Sequence, residues 1–157
     1  MSIIYATADG KKNLEKRLAG LIEQRADIAN QIKVAREFGD LRENAEYAAA
    51  REAQNNLENE ILQIEAMMPN IKFFSYAKAD TSVVNIGTRV KLENVATKNV
   101  IEYVITGTLE SDISKGFLSN ESPIGCALIG KKKGEEVDVK VPAGKIKYKI
   151  LKIMNGV

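Results

Sequence analysis

From Lys11 to Glu37 the apolar residues Leu14, Leu18, Leu21, Ile28, Ile32 and Ala35 recur at alternating steps of four and three, with Arg25 as the single interruption. That spacing is the seam of a coiled coil, narrower than the apolar face of a globular helix. After Gly39 the rhythm resumes through Tyr47, Ala50, Leu57, Ile61, Ile64 and Met68, broken only at Gln54. Thr7 and Asp9 are candidate caps for the first helix, and Pro69 stops the second. If the two runs fold back on each other at Gly39 and Asp40, facing positions pair as 14 with 64, 18 with 61, 21 with 57, 28 with 50 and 32 with 47. The same register sets Arg25 opposite Gln54. Independent interruptions have no reason to coincide, so this argues for an antiparallel hairpin in which the guanidinium donates to the Gln54 amide oxygen. At 1.5 Å per residue the first helix, about 27 residues, is on the order of 40 Å long. Such a rod exposes most of its surface, so its use is reach.

The later sequence alternates with period two. Val137, Val139 and Val141 lead through Pro142, Ala143 and Gly144 into Ile146, Tyr148 and Ile150, while Lys145, Lys147 and Lys149 take the opposite face. This predicts a β-hairpin with one wet side. Val90 and Leu92, then Val100, Tyr103 and Ile105, predict further strands, and Pro123 to Ile129 a short helix over the sheet. The expected fold class is α+β: a coiled-coil domain over residues 1–75 with its tip at 38–46, a linker over 76–82, and a small antiparallel-sheet domain over 83–157.

Composition narrows the chemistry. The 157 residues carry a net charge of +2 and contain no His, which excludes an imidazole base, a His-bearing triad and His-ligated zinc. A single Cys, Cys126, excludes an intramolecular disulfide and a thiolate cluster; in its apolar run it reads as a small packing residue. No stretch approaches the ~18 apolar residues of a membrane span, and no basic segment followed by an apolar run opens the chain, so a cytoplasmic protein is expected. Charge divides unevenly: 10 basic and 12 acidic residues up to Phe73, against 13 basic and 9 acidic after it. Lys131-Lys132-Lys133 reads as a solvated turn, with nucleic-acid contact as the second option.

The turn of the helical hairpin concentrates the candidate chemistry. It reads Phe38-Gly39-Asp40-Leu41-Arg42-Glu43-Asn44-Ala45-Glu46-Tyr47. Asp40 and Glu43 lie three apart, which at a helix start puts their carboxylates on one face, with Glu46 one turn further. Hard carboxylate oxygens suit Mg²⁺, yet two of them hold an ion only if a partner supplies the remaining ligands. Asp-x-x-Glu is equally a capping box, Asp40 accepting from backbone N–H groups and Glu43 returning to the cap amide. Spacing alone leaves both readings open. Arg42 and Asn44 flank the acids as candidate contacts to a partner or to phosphate, against plain solvated helix surface; Lys33 and Arg36 can attract phosphate nonspecifically.

The run from Gly39 to Tyr47, continued by Ala49-Ala50-Arg51-Glu52, closely resembles the signature of the bacterial Gre transcript-cleavage factors. A second match comprises Ser119-Asn120-Glu121-Ser122-Pro123-Ile124, then Ala127-Leu128-Ile129-Gly130-Lys131, and later Val141-Pro142-Ala143-Gly144. The likeness spans nearly the whole chain and is closer to the GreA branch than to the more basic GreB branch. It implies a coiled coil that enters the secondary channel of bacterial RNA polymerase and a C-terminal domain similar to the FKBP fold that docks at the channel rim. It further implies a monomeric factor that is not an enzyme: Asp40 and Glu43 help the polymerase's own active site cleave backtracked RNA at its extruded 3′ end, sharing a Mg²⁺ found only there. No cofactor is implied for the isolated chain. Ser122 and Pro123 match the rim-docking loop, although a helix N-cap followed by Pro at the first helical position explains them too. Many relatives carry His where this chain has Ala48, so any contribution of that imidazole is missing here.

Three rivals follow. A paralogue could occupy the channel and inhibit without stimulating cleavage; retention of both Asp40 and Glu43 argues against it. A prolyl isomerase needs an aromatic-lined pocket, and from Val83 onward the aromatics are only Tyr103, Phe117 and Tyr148. A holdase needs an apolar tip, and this one offers only Phe38 and Leu41.

Overall fold

The computed structural model describes residues 3–39 and 44–156. They form two compact units, one comprising Lys11–Asn70 and the other joining the chain up to Gly10 to everything from Ile71 on. No helix among the described residues is long and apolar enough to cross a membrane.

The first unit is a helical pair, α1 (Ala8–Arg36) and α2 (Ala45–Met67). The predicted seam is its core: Leu21, Leu57, Ile61 and Ile64 are buried together, with Leu14, Leu18, Ile28 and Met68 packed against them. Ile32, Ala35 and Ala50 continue the buried line toward the turn. One expectation is overturned. Arg25 does not bond Gln54; its Nε and Nη2 donate to Glu58 Oε1 and Oε2 at 2.8 and 2.9 Å, while Gln54 Oε1 accepts from Arg51 Nη1 at 3.1 Å. The reason is electrostatic. Glu58 lies one turn beyond Gln54 and offers a bidentate carboxylate, and the long arginine stem carries the guanidinium out of the seam to reach it. This contact raises the Arg25 pKa and lowers that of Glu58, and both side chains are solvated. A second inter-helix ion pair joins Arg17 to Glu60.

The second unit is built on a five-stranded sheet in the order β5-β4-β3-β7-β6, from β3 (Thr88–Asn94), β4 (Val100–Thr106), β5 (Phe117–Ser119), β6 (Glu136–Val141) and β7 (Gly144–Asn155). Only β4 and β5 run parallel. The predicted hairpin is β6–β7, with Val137 opposite Tyr148 and Val139 opposite Ile146. Its inward residues join Val90, Leu92, Ile105, Leu118 and Ile150 in one core, closed by Leu128 of α3 (Pro123–Leu128).

The start of the chain belongs to this unit. Strand β1 (Ile4–Ala6) pairs in parallel with β2 (Ile71–Phe73). Gly107 makes the close approach possible, since a Cβ there would lie 1.7 Å from the Tyr5 carbonyl oxygen. Thr7 caps α1 by accepting from Gly10 N at 3.1 Å, and its own N–H and hydroxyl both donate to Glu110 Oε1, at 2.7 and 2.6 Å. Tyr76, expected at the head of a linker, is half-buried: its ring meets Phe74 and Phe117 edge-on, and its hydroxyl donates to Glu110 Oε2 at 3.0 Å beside Thr106 Oγ1.

Burial pushes the Tyr76 phenol up to about 12 from its ordinary 10.0, with the Glu110 charge adding to the rise. The folded chain therefore holds this proton after the unfolded chain has released it. That contribution is complete below pH 10.0 and is lost as pH rises toward about 12. Burial raises the Tyr103 phenol as well, so tyrosinate absorbance should show a late component that ends with Tyr76, and Tyr76→Phe should remove its final part.

Candidate functional site

The candidate site is the turn that joins α1 to α2. Helix α1 ends at Arg36, and the chain leaves it through Glu37 N–H bonded to Val34 O and Phe38 N–H bonded to Ala35 O, at 3.1 and 3.2 Å. These short-range bonds tighten the last turn. Gly39 follows at φ +106°, a conformation that L side chains resist. Asp40, Leu41, Arg42 and Glu43 lie outside the described residues.

Asn44 then opens α2 as its N-cap: Oδ1 accepts from Tyr47 N–H at 3.1 Å, while Nδ2 donates to Ala35 O at 2.5 Å. One carboxamide thus satisfies an orphan donor at the start of α2 and gives Ala35 O, at the end of α1, a second donor beside Phe38 N–H, clasping the two helices beside the turn. This revises the expected helix start. The cap of α2 is Asn44, and the capping box read at Asp40 and Glu43 falls on residues outside those described. Pattern reading ranked Asn44 as a surface contact, although asparagine directly before an apolar rhythm is itself an N-cap signal.

Of the predicted cations, Lys33 and Arg36 both occupy the last turn of α1 and are exposed. The Arg36 guanidinium lies 5.9 Å from the centre of the Tyr47 ring, a cation–π contact across the helix pair. Phe38 is 67% exposed. A groove of about 410 Å³ lies beside the turn, lined by Asn30, Gln31, Val34, Glu46, Ala49 and their small neighbours. Among the described residues no group of three His, Cys, Asp or Glu could hold a metal. The carboxylate donors of Asp40 and Glu43 suit a hard cation in kind but are too few to hold one unaided.

Replacing Asn44 with alanine should destabilise the helical pair by about 1–2 kcal/mol, the scale of a lost N-cap with its second bond. Asn44→Asp should fall between, because it keeps the cap acceptor and loses the donor to Ala35 O. Urea unfolding followed by helix ellipticity checks the ranking.

The second predicted site lies in the other unit. Ser122 caps α3, accepting from Gly125 N–H at 3.0 Å and donating to Ser119 O at 2.7 Å, and Pro123 takes the first helical position. Its hydroxyl is thus engaged within the loop. Glu121, next to it, accepts from Thr108 Oγ1 at 3.1 Å. Cys126 is exposed, its Sγ 3.2 Å from Asn120 O, which corrects the expectation of a packing residue: on this short helix the side chains of Ile124, Ala127 and Leu128 pack on the core and that of Cys126 does not.

Both halves match known families. Residues 4–72 match the profile "Transcription elongation factor, N-terminal", and residues 79–155 match "Transcription elongation factor, GreA/GreB, C-term". The transcription elongation factor GreA of Acetivibrio thermocellus is 42% identical over 151 residues, covering 96% of this chain and 95% of that protein. That of Caldanaerobacter subterraneus subsp. tengcongensis is 44% identical, covering 96% of each. Among solved structures, the transcription factor Gfh1 aligns at 19% identity over 98% of this chain and 99% of its own, with a TM-score of 0.48. With both profiles matched and more than two-fifths of the residues shared with GreA proteins along nearly the full length, the chain belongs to the GreA/GreB family of transcription elongation factors.

Proposed function

We propose that the chain binds the secondary channel of bacterial RNA polymerase through its helical hairpin and stimulates the polymerase's own hydrolysis of backtracked RNA. The observation that carries this reading is the uninterrupted motif from Gly39 to Tyr47, holding both Asp40 and Glu43 in the connection between two long helices. Helix α1 has 29 residues and is therefore about 40 Å long, enough to reach into a deep channel. The chain is then no nuclease by itself: it lends oxygens to a centre that lacks them.

Within that centre Asp40 and Glu43 hold and orient, one carboxylate accepting a hydrogen bond from the O–H of the attacking water while the pair would complete a ligand set begun by the polymerase. Asp40 and Glu43, together with polymerase ligands, would hold a shared Mg²⁺ there, which would supply charge stabilisation for phosphoryl transfer. Arg42, Lys33 and Arg36 draw the extruded RNA 3′ end toward the carboxylates by attraction to its phosphates. Asn44 positions the acids by clasping the helix ends. Ser122 and Pro123 present the loop that seats the second unit on the channel rim.

The test is to add purified protein and Mg²⁺ to stalled, backtracked elongation complexes and follow the labelled transcript. Shortening from the 3′ end, beyond that of polymerase alone, is expected. Confirmed binding without shortening would establish a channel-blocking inhibitor instead, and absence of binding would refute both readings.

A further inference from the structure

We infer that Glu110 is a positioning residue for transcript cleavage: its carboxylate anchors the first turn of α1, the helix that leads to Asp40 and Glu43. The inference rests on the function proposed above, since it gives a further residue a part in that reaction. Glu110 closes the short turn Thr108–Glu110 that follows β4. Its Oε1 accepts from the N–H and the hydroxyl of Thr7 at 2.7 and 2.6 Å, and its Oε2 accepts from the Tyr76 hydroxyl at 3.0 Å. Thr7 precedes α1 and Tyr76 follows β2, so the chain before the helical pair and the chain after it meet on one carboxylate.

The directions of these bonds single out the carboxylate. Tyr76 spends its one hydroxyl proton on Glu110, so the hydroxyl of Thr106, fully buried and 2.9 Å away, donates to the phenol oxygen. Thr7 likewise spends its hydroxyl proton on Glu110 and accepts from Gly10 N–H at 3.1 Å, one of the orphan donors at the start of α1. Two chains of donors, Thr106 to Tyr76 and Gly10 to Thr7, therefore end on Glu110. Only an ionised carboxylate accepts on both of its polar atoms. A glutamine would turn an NH₂ group toward Thr7 or toward Tyr76. The approach is close as well: a Cβ on Gly10 would collide with Glu110 Oε1.

An anchor at this point bears on the chemistry through leverage. The β1–β2 ladder ends at Ala6 and Phe73, one residue short of the cap, and Glu110 grips that next residue by both its N–H and its hydroxyl. Helix α1 then continues for 29 residues. Over its length of about 40 Å, a tilt of about 10° at the first turn moves the opposite end of the helix by roughly 7 Å. Misplacing a reacting group by about 1 Å can already cost about 100-fold in rate. In the reading above the second unit seats through the loop of Ser122 and Pro123, which shares none of these bonds. Loss of the anchor therefore slows the reaction without releasing the factor.

The test titrates the full chain into stalled, backtracked complexes with Mg²⁺ and separates the maximal cleavage rate from the factor concentration that gives half of it. Glu110→Gln should lower the maximal rate about tenfold and leave the half-saturating concentration within about twofold of wild type. Thr7→Val should do the same, and Thr7→Ser, which keeps the hydroxyl, should restore the rate. Gly10→Ala removes no polar group and installs a better helix former, yet it displaces the carboxylate, so it too should lower the maximal rate. Hydrogen exchange in the isolated chain supplies a second readout: the Thr7 amide should exchange about tenfold faster in Glu110→Gln, the scale of one lost hydrogen bond. Full maximal rates in Glu110→Gln and Gly10→Ala, with wild-type stimulation intact, overturn the anchor and leave the proposed function standing. A change confined to the half-saturating concentration, or an unchanged Thr7 exchange rate, overturns it as well. Absence of stimulation by the wild type overturns the proposed function and this inference together.

Discussion

Asp40→Asn should leave binding to polymerase within about twofold of wild type and lower stimulated cleavage about 100-fold or more, the scale of losing a positioned proton-handling or metal-holding group. The substitution is nearly isosteric and removes one negative charge. Its interpretation is sharpened by the cap of α2. Because Asn44 supplies the side-chain oxygen to Tyr47 N–H, that helix start does not depend on an acceptor at position 40. A loss of cleavage in Asp40→Asn with unchanged helix content therefore reports on chemistry rather than on folding. Glu43→Gln is expected to behave alike, and the double variant to be little worse than either single one, since groups acting as a unit are not additive. Full stimulation by Asp40→Asn would remove the acidic pair from the mechanism. The measurement is transcript shortening in stalled complexes, with co-migration of factor and polymerase as the binding control.

Ile61→Ala should cost about 2–5 kcal/mol, the range for truncating a large aliphatic side chain in a packed core. Ile61 is 1% exposed and sits in the centre of the helical seam with Leu21, Leu57 and Ile64. Leu62, its neighbour on the same helix, is 62% exposed, and Leu62→Ala should stay within about 0.5 kcal/mol of wild type. The contrast isolates burial from helix propensity, because both variants introduce the same good helix former. Thermal unfolding followed by ellipticity is expected to show a large shift for the first and almost none for the second. Equal shifts would mean that these helices do not pack along the seam described. Ile61→Ala should also weaken stimulated cleavage at temperatures near its own melting point, since an arm that frays cannot hold a turn in place.

Much of this architecture is legible in the order of residues. The three-four spacing from Leu14 to Ala35 and from Tyr47 to Met68 names the residues that are buried between α1 and α2, because a helix repeats every 3.6 residues and only that stripe can face a partner. The period-two run from Val137 to Ile150 names the inward face of β6 and β7 for the same kind of reason. The hairpin register was readable as well, but the bond inferred from it was not: Arg25 reaches Glu58, because a long polar side chain chooses among several partners by charge and reach. That Asn44 is the cap of α2 was not singled out, since Asp and Asn both stand in the turn and either can begin a helix. At Ser122 the sequence already held the correct structural alternative, a cap followed by proline.

What the sequence determined by itself is thus everything governed by local period and by the identity of motif residues: two seam-forming helices, a wet-faced hairpin, and a pair of acids in the turn between long helices. The tertiary structure alone decided which distant groups meet. Thr7 and Tyr76 converge on Glu110, Asn44 reaches back to Ala35, and a bulge at Leu151 turns Lys152 onto the face of Lys145. Such meetings join residues up to 103 positions apart or hinge on one unpaired residue in a ladder, and no periodicity carries that information. They are set when the cores close and the remaining polar groups settle on the partners then within reach.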